Sequence, residues 1–416
     1  VSSLHGSIGG LLLTVPRYAT EPPYPPAYQR LLASLPAEID LVVLTQGDDG
    51  SVVRSWLAAT GHDRRARVLV AEDDLFFSVW AEDGYVCAID RTSGETFLIE
   101  PVEFPRYGDA LIADYVAYGT ELRTSQAPVY FHGGNILVGD AFFLIGIDYP
   151  ERTLDLESLS LPDLPRAPLM DYVRDLYRRY LDPQRELHFV GSRRPAHPHR
   201  LRIFDLEGEP RAEEIGAAGG IHQPIFHIDM LVSLAGRSDA GRYRVLVGDP
   251  RLAVALVDDP SFPLPAHAMA VQCDQVAAGL EARGFEVTRN PLPLVYADDD
   301  GELAWSAGEL ESRYGNVEGA SEVIDFMAER EMDRIPLRRW YFATSNNVLG
   351  ERTDDRGIVW MPEYAVTPWE ILAPVDAANR ALWERLGFEV RGLGDFHAFA
   401  EDFGAAHCIT KYLGRR

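Results

Sequence analysis

Twice in this chain a helix-length segment ends in Gly-Phe-Glu-Val: Gly284-Phe285-Glu286-Val287 after Asp274–Arg283, and Gly387-Phe388-Glu389-Val390 after Asp376–Leu386, 103 residues further on (388 − 285). A glycine is the usual stop for a helix, because it enters the left-handed conformation freely, and the aromatic and β-branched residues that follow favour a strand. In the first copy Asp274 stands where an N-cap would stand. A third helix–strand pair runs from Tyr28–Leu35 into Ile39–Leu44. One short pattern reused at long spacing predicts a helix-to-strand module employed several times. Val68–Val70, Val129–Val138, Phe142–Ile147, Tyr243–Val247 and Gly357–Met361 supply further strand candidates between turn residues. Strands alternate with helices throughout, which predicts an α/β or α+β chain.

Composition narrows the function classes. The 416 residues carry a net charge of −25, which repels nucleic acid and anionic membranes. That charge either serves solubility or draws in a cationic substrate. Lys411 is the only lysine, so a P-loop and a Schiff base on any other lysine are excluded. The three cysteines, Cys87, Cys273 and Cys408, have neither zinc-ribbon nor CxxC spacing, and their odd number argues against a disulfide framework. This predicts a reducing, cytoplasmic compartment. No apolar run is long enough to span a membrane, and no signal-peptide pattern opens the chain. A single catalytic domain over 1–416 is expected, with insertions near 150–220 and 297–337. Near 150–220 one amphipathic helix falls at Asp171–Tyr180. The Asp298-Asp299-Asp300-Gly301 run near 297–337 lacks the glycine offset and the closing glutamate of a calcium loop, and reads as a solvated turn.

Four motifs could carry chemistry. Cys408 sits in Gly404-Ala405-Ala406-His407-Cys408-Ile409-Thr410, where small neighbours leave room for a ligand. It reads either as a nucleophile or as a structural thiol. His227 and Asp229 stand two apart in an apolar run, so on a strand both point to one face, into a site or into solvent. Trp80-Ala81-Glu82-Asp83-Gly84 reads as a strand-ending turn or as a carboxylate clamp for a planar guanidinium. His132-Gly133-Gly134-Asn135 places two glycines within a strand pattern, which marks a bulge or a close ligand approach.

Taken in order, these motifs resemble the guanidino-group-modifying superfamily, the penteins, which includes agmatine deiminase and bacterial peptidylarginine deiminase. Thr344-Ser345-Asn346-Asn347-Val348-Leu349 is similar to the family's asparagine-bearing strand, and His407-Cys408-Ile409-Thr410 to the closing motif of agmatine deiminases. The pair His227 and Asp229 matches the family's HxD. The resemblance implies an α/β fold of five ββαβ modules around a pseudo-fivefold axis. It implies a deiminase in which Cys408, His227, Asp229 and Asp83 are catalytic, while Asn347, His132, Gly134, Asn135 and Trp80 bind substrate. No cofactor and no metal are implied, and the partner is a small or peptide guanidine. An amidinotransferase and an inactive arginine-binding homologue are the alternatives. Two positions depart from the pattern. His132 replaces the acid of agmatine and arginine deiminases, as in bacterial peptidylarginine deiminases, which turns the expected substrate away from free agmatine. Glu82 replaces an arginine, which leaves an extra negative charge near the site.

Overall fold

A computed structural model describes residues 1–192, 200–206, 208–215, 222–257 and 266–416. Their strands form seven small sheets, none closed on itself. Five sheets share one plan, in which an antiparallel pair is followed by a helical crossover to a third strand parallel to the second. The plan holds for Val86–Ile89, Thr96–Glu100 and Arg123–Gln126; for Ile136–Val138, Phe142–Gly146 and Glu186–Val190; for Val232–Arg237, Tyr243–Asp249 and Glu286–Pro291; and for Leu349–Arg352, Gly357–Glu363 and Phe388–Asp395. The fifth sheet pairs Thr410–Arg415 with Ile8–Val15, then Asp40–Gln46, and adds Ala66–Ala71.

The two Gly-Phe-Glu-Val segments fall at the same point of this plan, where the crossover helix gives way to the third strand. Gly284 and Gly387 have φ of 89° and 86°, values that cost a side chain but not glycine. The crossover helices are Ala266–Glu281 and Ala373–Arg385. The first begins well before Asp274, which is not its cap. Asp274 instead lies mid-helix and binds Arg251 at 2.5 Å and Arg289 at 2.6 Å.

Three other local expectations also change. Val129–Val138 is not one strand, because Gly133–Asn135 forms a 3-10 turn and only Ile136–Val138 pairs. His227–Asp229 is not a strand either, since Ile228–Met230 is a 3-10 turn and the strand starts at Val232. At the first place Gly133 N bonds Asp83 O instead of a neighbouring strand, and at the second buried side chains take the backbone groups, Asn135 Oδ1 accepting from Ile228 N at 3.1 Å and Gln223 Nε2 donating to Phe226 O at 3.0 Å. Asp298 and Asp299 end the strand Leu294–Asp299 rather than form a solvated turn. Two arginines across the antiparallel partner hold them: Arg338 on Asp298 at 2.7 Å and Arg339 on Asp299 at 2.9 Å.

The stretch near 150–220 divides. Helices Asp148–Ser160 and Arg166–Tyr180 form the crossover of the second unit, and the latter contains the amphipathic segment read at Asp171–Tyr180. Beyond them the hairpin Arg200–Leu206 and Glu209–Ile215 joins a sheet with Leu337–Phe342 and Leu294–Asp299. Residues 193–199, 207 and 216–221 lie outside the described set. Leu201 and Ala212 of the hairpin share a small core with Leu310, Val323, Met327 and Ile335. The hairpin and residues 297–337 therefore bury apolar surface against each other. The main core gathers Leu11, Leu13, Val43, Tyr341, Trp360, Tyr364 and Ile409 from distant parts of the chain. Full burial of such side chains contributes about 1.5–3 kcal/mol each.

Candidate active site

The five repeated units bring five equivalent positions together. Asp83, His132, His227 with Asp229, Asn347 and Cys408 each lie in the turn just before the first strand of a unit. Their side chains meet in a sealed cluster. Cys408 is 2% exposed, Asp83 2%, Asp229 1%, and His227 and Asn347 0%.

Asn347 organises the thiol. Its Oδ1 accepts from the backbone N–H of His407 at 2.9 Å and of Cys408 at 3.1 Å, while its Nδ2 donates to Cys408 Sγ at 3.0 Å. The loop presenting Asn347 is fixed by Asn346, which exchanges bonds of 3.0 Å with Asn290, and by Thr344, whose hydroxyl donates to Met230 O at 2.7 Å. Cys408 Sγ stands 3.6 Å from Asp229 Oδ2. Burial first, then the Asp229 and Asp83 charges, push the thiol well above its ordinary range, so without a bound cation it stays protonated.

His227 faces two ways. Its Nε2 shares a proton with His132 Nδ1 at 3.0 Å, and its Nδ1 lies 3.6 Å from Asp83 Oδ1. That second separation is too long for a hydrogen bond, and both atoms are buried without a partner. Burial and the nearby Arg106 hold His227 well below its usual range, so the contact with Asp83 is not an ion pair. Burial, then His227, lowers His132 to about 3. The His132 ring is flanked by Phe104 and Tyr149, each 4.6 Å away. The backbone at Gly134 packs directly on these groups: a Cβ there would lie 2.6 Å from His227 Nδ1 and 3.2 Å from Asp229 Oδ2, so a side chain at this position would displace them.

The remaining expected residues sit around this cluster. Asn135 is fully buried, and its Oδ1 accepts from Ile228 N at 3.1 Å and Gln223 Nε2 at 2.9 Å, which pins the His227 turn. Trp80 lies against Gly404, where a Cβ would meet its ring at 2.2 Å, and packs edge-on against Phe399.

Sequence reasoning missed three groups. His407 Nδ1 bonds Asp229 Oδ2 at 2.8 Å. Burial works against charging His407, but Glu82 and the Asp229 bond outweigh it and raise its proton affinity. Arg106 Nη2 donates to Asp83 Oδ2 at 2.6 Å, and its Nε holds Asp109. Lys411 Nζ binds Glu82 Oε1 at 2.8 Å, both side chains buried. The expected extra charge of Glu82 is thus paired, because the chain's one lysine meets it three residues after the thiol. Only adjacency to Cys408 could have flagged His407, and nothing in the sequence near Arg106 marks it.

Five antiparallel–parallel units thus carry a buried thiol, carboxamide, carboxylate and imidazole cluster at their equivalent turns, on a fold that resembles solved agmatine deiminase structures. Among solved structures, the chain is similar to a structural-genomics target assigned as an agmatine deiminase, at 13% identity and a TM-score of 0.55, over 99% of this chain and 94% of that one. An agmatine deiminase from C. jejuni is similar at 13% identity and a TM-score of 0.53, over 100% and 96% of the two chains. No protein-family model and no curated protein matches the sequence.

Proposed function

We propose that this protein is a cysteine-dependent hydrolase of a guanidino group, acting on an arginine-like or arginine-bearing compound. The observation that carries this reading is the position of Cys408 Sγ, held by Asn347 at 3.0 Å beside Asp229, in the same buried cluster as the unpartnered His227 Nδ1 and Asp83 Oδ1, which lie 3.6 Å apart. The fold shared with agmatine deiminases supports it.

A guanidinium bound among these groups would donate hydrogen bonds to Asp83 and Asp229. Its charge would draw the thiol proton of Cys408 onto neutral His227, and Sγ would attack the guanidinium carbon. His227 would pass the proton to the departing nitrogen as the C–N bond breaks, leaving a thiouronium on Cys408. Water, deprotonated by His227, would then attack the same carbon. Breaking the C–S bond returns the thiol and releases a ureido product.

The burial of the whole cluster supports a second reading, an amidinotransferase in which an amine replaces water. A panel of guanidines, assayed for ammonia and ureido product with and without added amines, tests both. Ammonia and ureido product that disappear in Cys408→Ala support the hydrolase. A guanidinylated amine supports the transferase, and neither product from any guanidine refutes the reading.

A further inference from the structure

Of the 39 lysine and arginine residues of this chain only one is a lysine, and it is buried behind the thiol. Lys411 Nζ donates to Glu82 Oε1 at 2.8 Å and to Glu82 O at 3.3 Å, and lies 5.6 Å from the Tyr85 ring centre. Glu82 N in turn donates to Cys408 O at 3.0 Å, so the pair is tied to the backbone of the nucleophile itself. An ion pair taken out of water is a poor way to gain stability, since apolar residues of similar volume commonly serve as well or better. Its retention here points to a role in charge.

The neighbouring groups show which role. His407 shares Asp229 Oδ2 with the Cys408 thiol, at 2.8 Å and 3.6 Å. The charged and titratable groups acting on His407 are Asp229, Glu82 and Lys411, with His227 beyond and the Tyr412 ring at 5.9 Å. His407 Nε2 and Glu82 Oε2 are both buried without a partner. Burial raises both carboxyls against the pull of Lys411 on Glu82 and of His407 on Asp229. With both ionised, the order of charges is Lys411 positive, Glu82 negative, His407, then Asp229 negative, and without Glu82 the Lys411 cation would act on the imidazole unopposed from that side.

The geometry points to Glu82 as a positioning residue: held by Lys411 and tied to the Cys408 backbone, it sets the charge behind His407 and, through the His407–Asp229 bond, orients Asp229 beside Cys408. This rests on the reading of Cys408 as the nucleophile, but its test needs no turnover. In that reading the pair keeps a carboxylate ready for the guanidinium before any substrate arrives.

The test is an NMR titration of the histidine side chains in 15N-histidine-labelled protein, with the His407 signal assigned by its loss in His407→Gln. Glu82→Gln should lower the His407 midpoint by about one pH unit or more, and Lys411→Met should raise it. The paired variant Glu82→Gln/Lys411→Met, which leaves no unpaired buried charge, should fall between the wild type and Glu82→Gln. A His407 midpoint unchanged in both Glu82→Gln and the paired variant overturns the assignment, as does a paired variant above the wild type. Guanidine turnover can fail while this order holds, and the order can fail while turnover persists, so the two readings are separately testable.

Discussion

Arg106 Nη2 lies 2.6 Å from Asp83 Oδ2, so the carboxylate that the proposed reaction assigns to a substrate guanidinium already holds one of the chain's own. Arg106 is itself anchored by Asp109, whose oxygens accept from Ser78 N at 2.6 Å and Ser78 Oγ at 2.7 Å. In that reaction a substrate would meet Asp83 with one oxygen free of hydrogen bonds, Oδ1, 3.6 Å from His227 Nδ1. Arg106→Gln should tighten binding of small guanidinium ligands. Charge-assisted bonds are worth about 1.5–3 kcal/mol, and release of one oxygen should recover part of that, roughly tenfold in affinity. Neutral ureas should not gain. Inhibition constants for matched guanidine and urea pairs check this, and equal change in both classes would remove Arg106 from competition for Asp83.

Alkylation of Cys408 should follow an alkaline limb in the free protein, because burial and two carboxylates raise the thiol above its ordinary range. Asp229→Asn removes one of those charges and should move the limb to lower pH. A small guanidinium bound beside Asp229 should do the same. The rate of labelling by a neutral haloacetamide against pH reads both shifts, and a limb that Asp229→Asn leaves in place would contradict the assigned cause.

Asn347→Asp keeps an acceptor for His407 N and Cys408 N but loses the donor to Sγ and adds a negative charge. Its melting temperature should stay near that of the wild type while alkylation at neutral pH slows. Asn347→Ala leaves two buried N–H groups without an acceptor, at about 1–3 kcal/mol each, and should lower stability measurably in thermal melts. If the two variants behaved alike in both assays, Asn347 would not have the double role seen in its hydrogen bonds.

His132 ties the site to acid stability. Its proton affinity falls from the ordinary 6.5 to about 3 in the fold. Between those values the unfolded chain binds the proton and the folded chain does not. The contribution to stability is thus complete above 6.5 and lost as pH falls toward 3, by at most about 1.4 kcal/mol per unit. His132→Asn should lose less stability than the wild type between about pH 7 and pH 4 in denaturant titrations. Parallel loss in both proteins would place the acid sensitivity elsewhere.

Much of this was legible in the residues. Gly284 and Gly387 marked the repeated crossover because their backbone conformation is one that only glycine adopts without cost. Cys408, Asn347, Asp83, His227 and Asp229 converge as their order suggested. Side-chain direction was not legible: a strand reading of His227–Asp229 follows from apolar alternation, whereas Asn135 and Gln223 turn the backbone there into a tight bend. Pairings across long separations were not legible either. Lys411 with Glu82, and Arg106 with Asp83, join positions that no local pattern relates. The aspartates at 298 and 299 looked like a wet turn only because Arg338 and Arg339 lie 40 residues away in sequence.

The strand that follows Cys408, Thr410–Arg415, is held along its length by Ile8–Val15, with Leu13 opposite Thr410 and Leu11 opposite Tyr412. Leu13 and Thr410 stand 397 residues apart (410 − 13), so the seat of the thiol depends on a contact between distant parts of the chain. Loosening of Ile8–Val15 would free the strand behind Cys408 without touching any residue of the cluster.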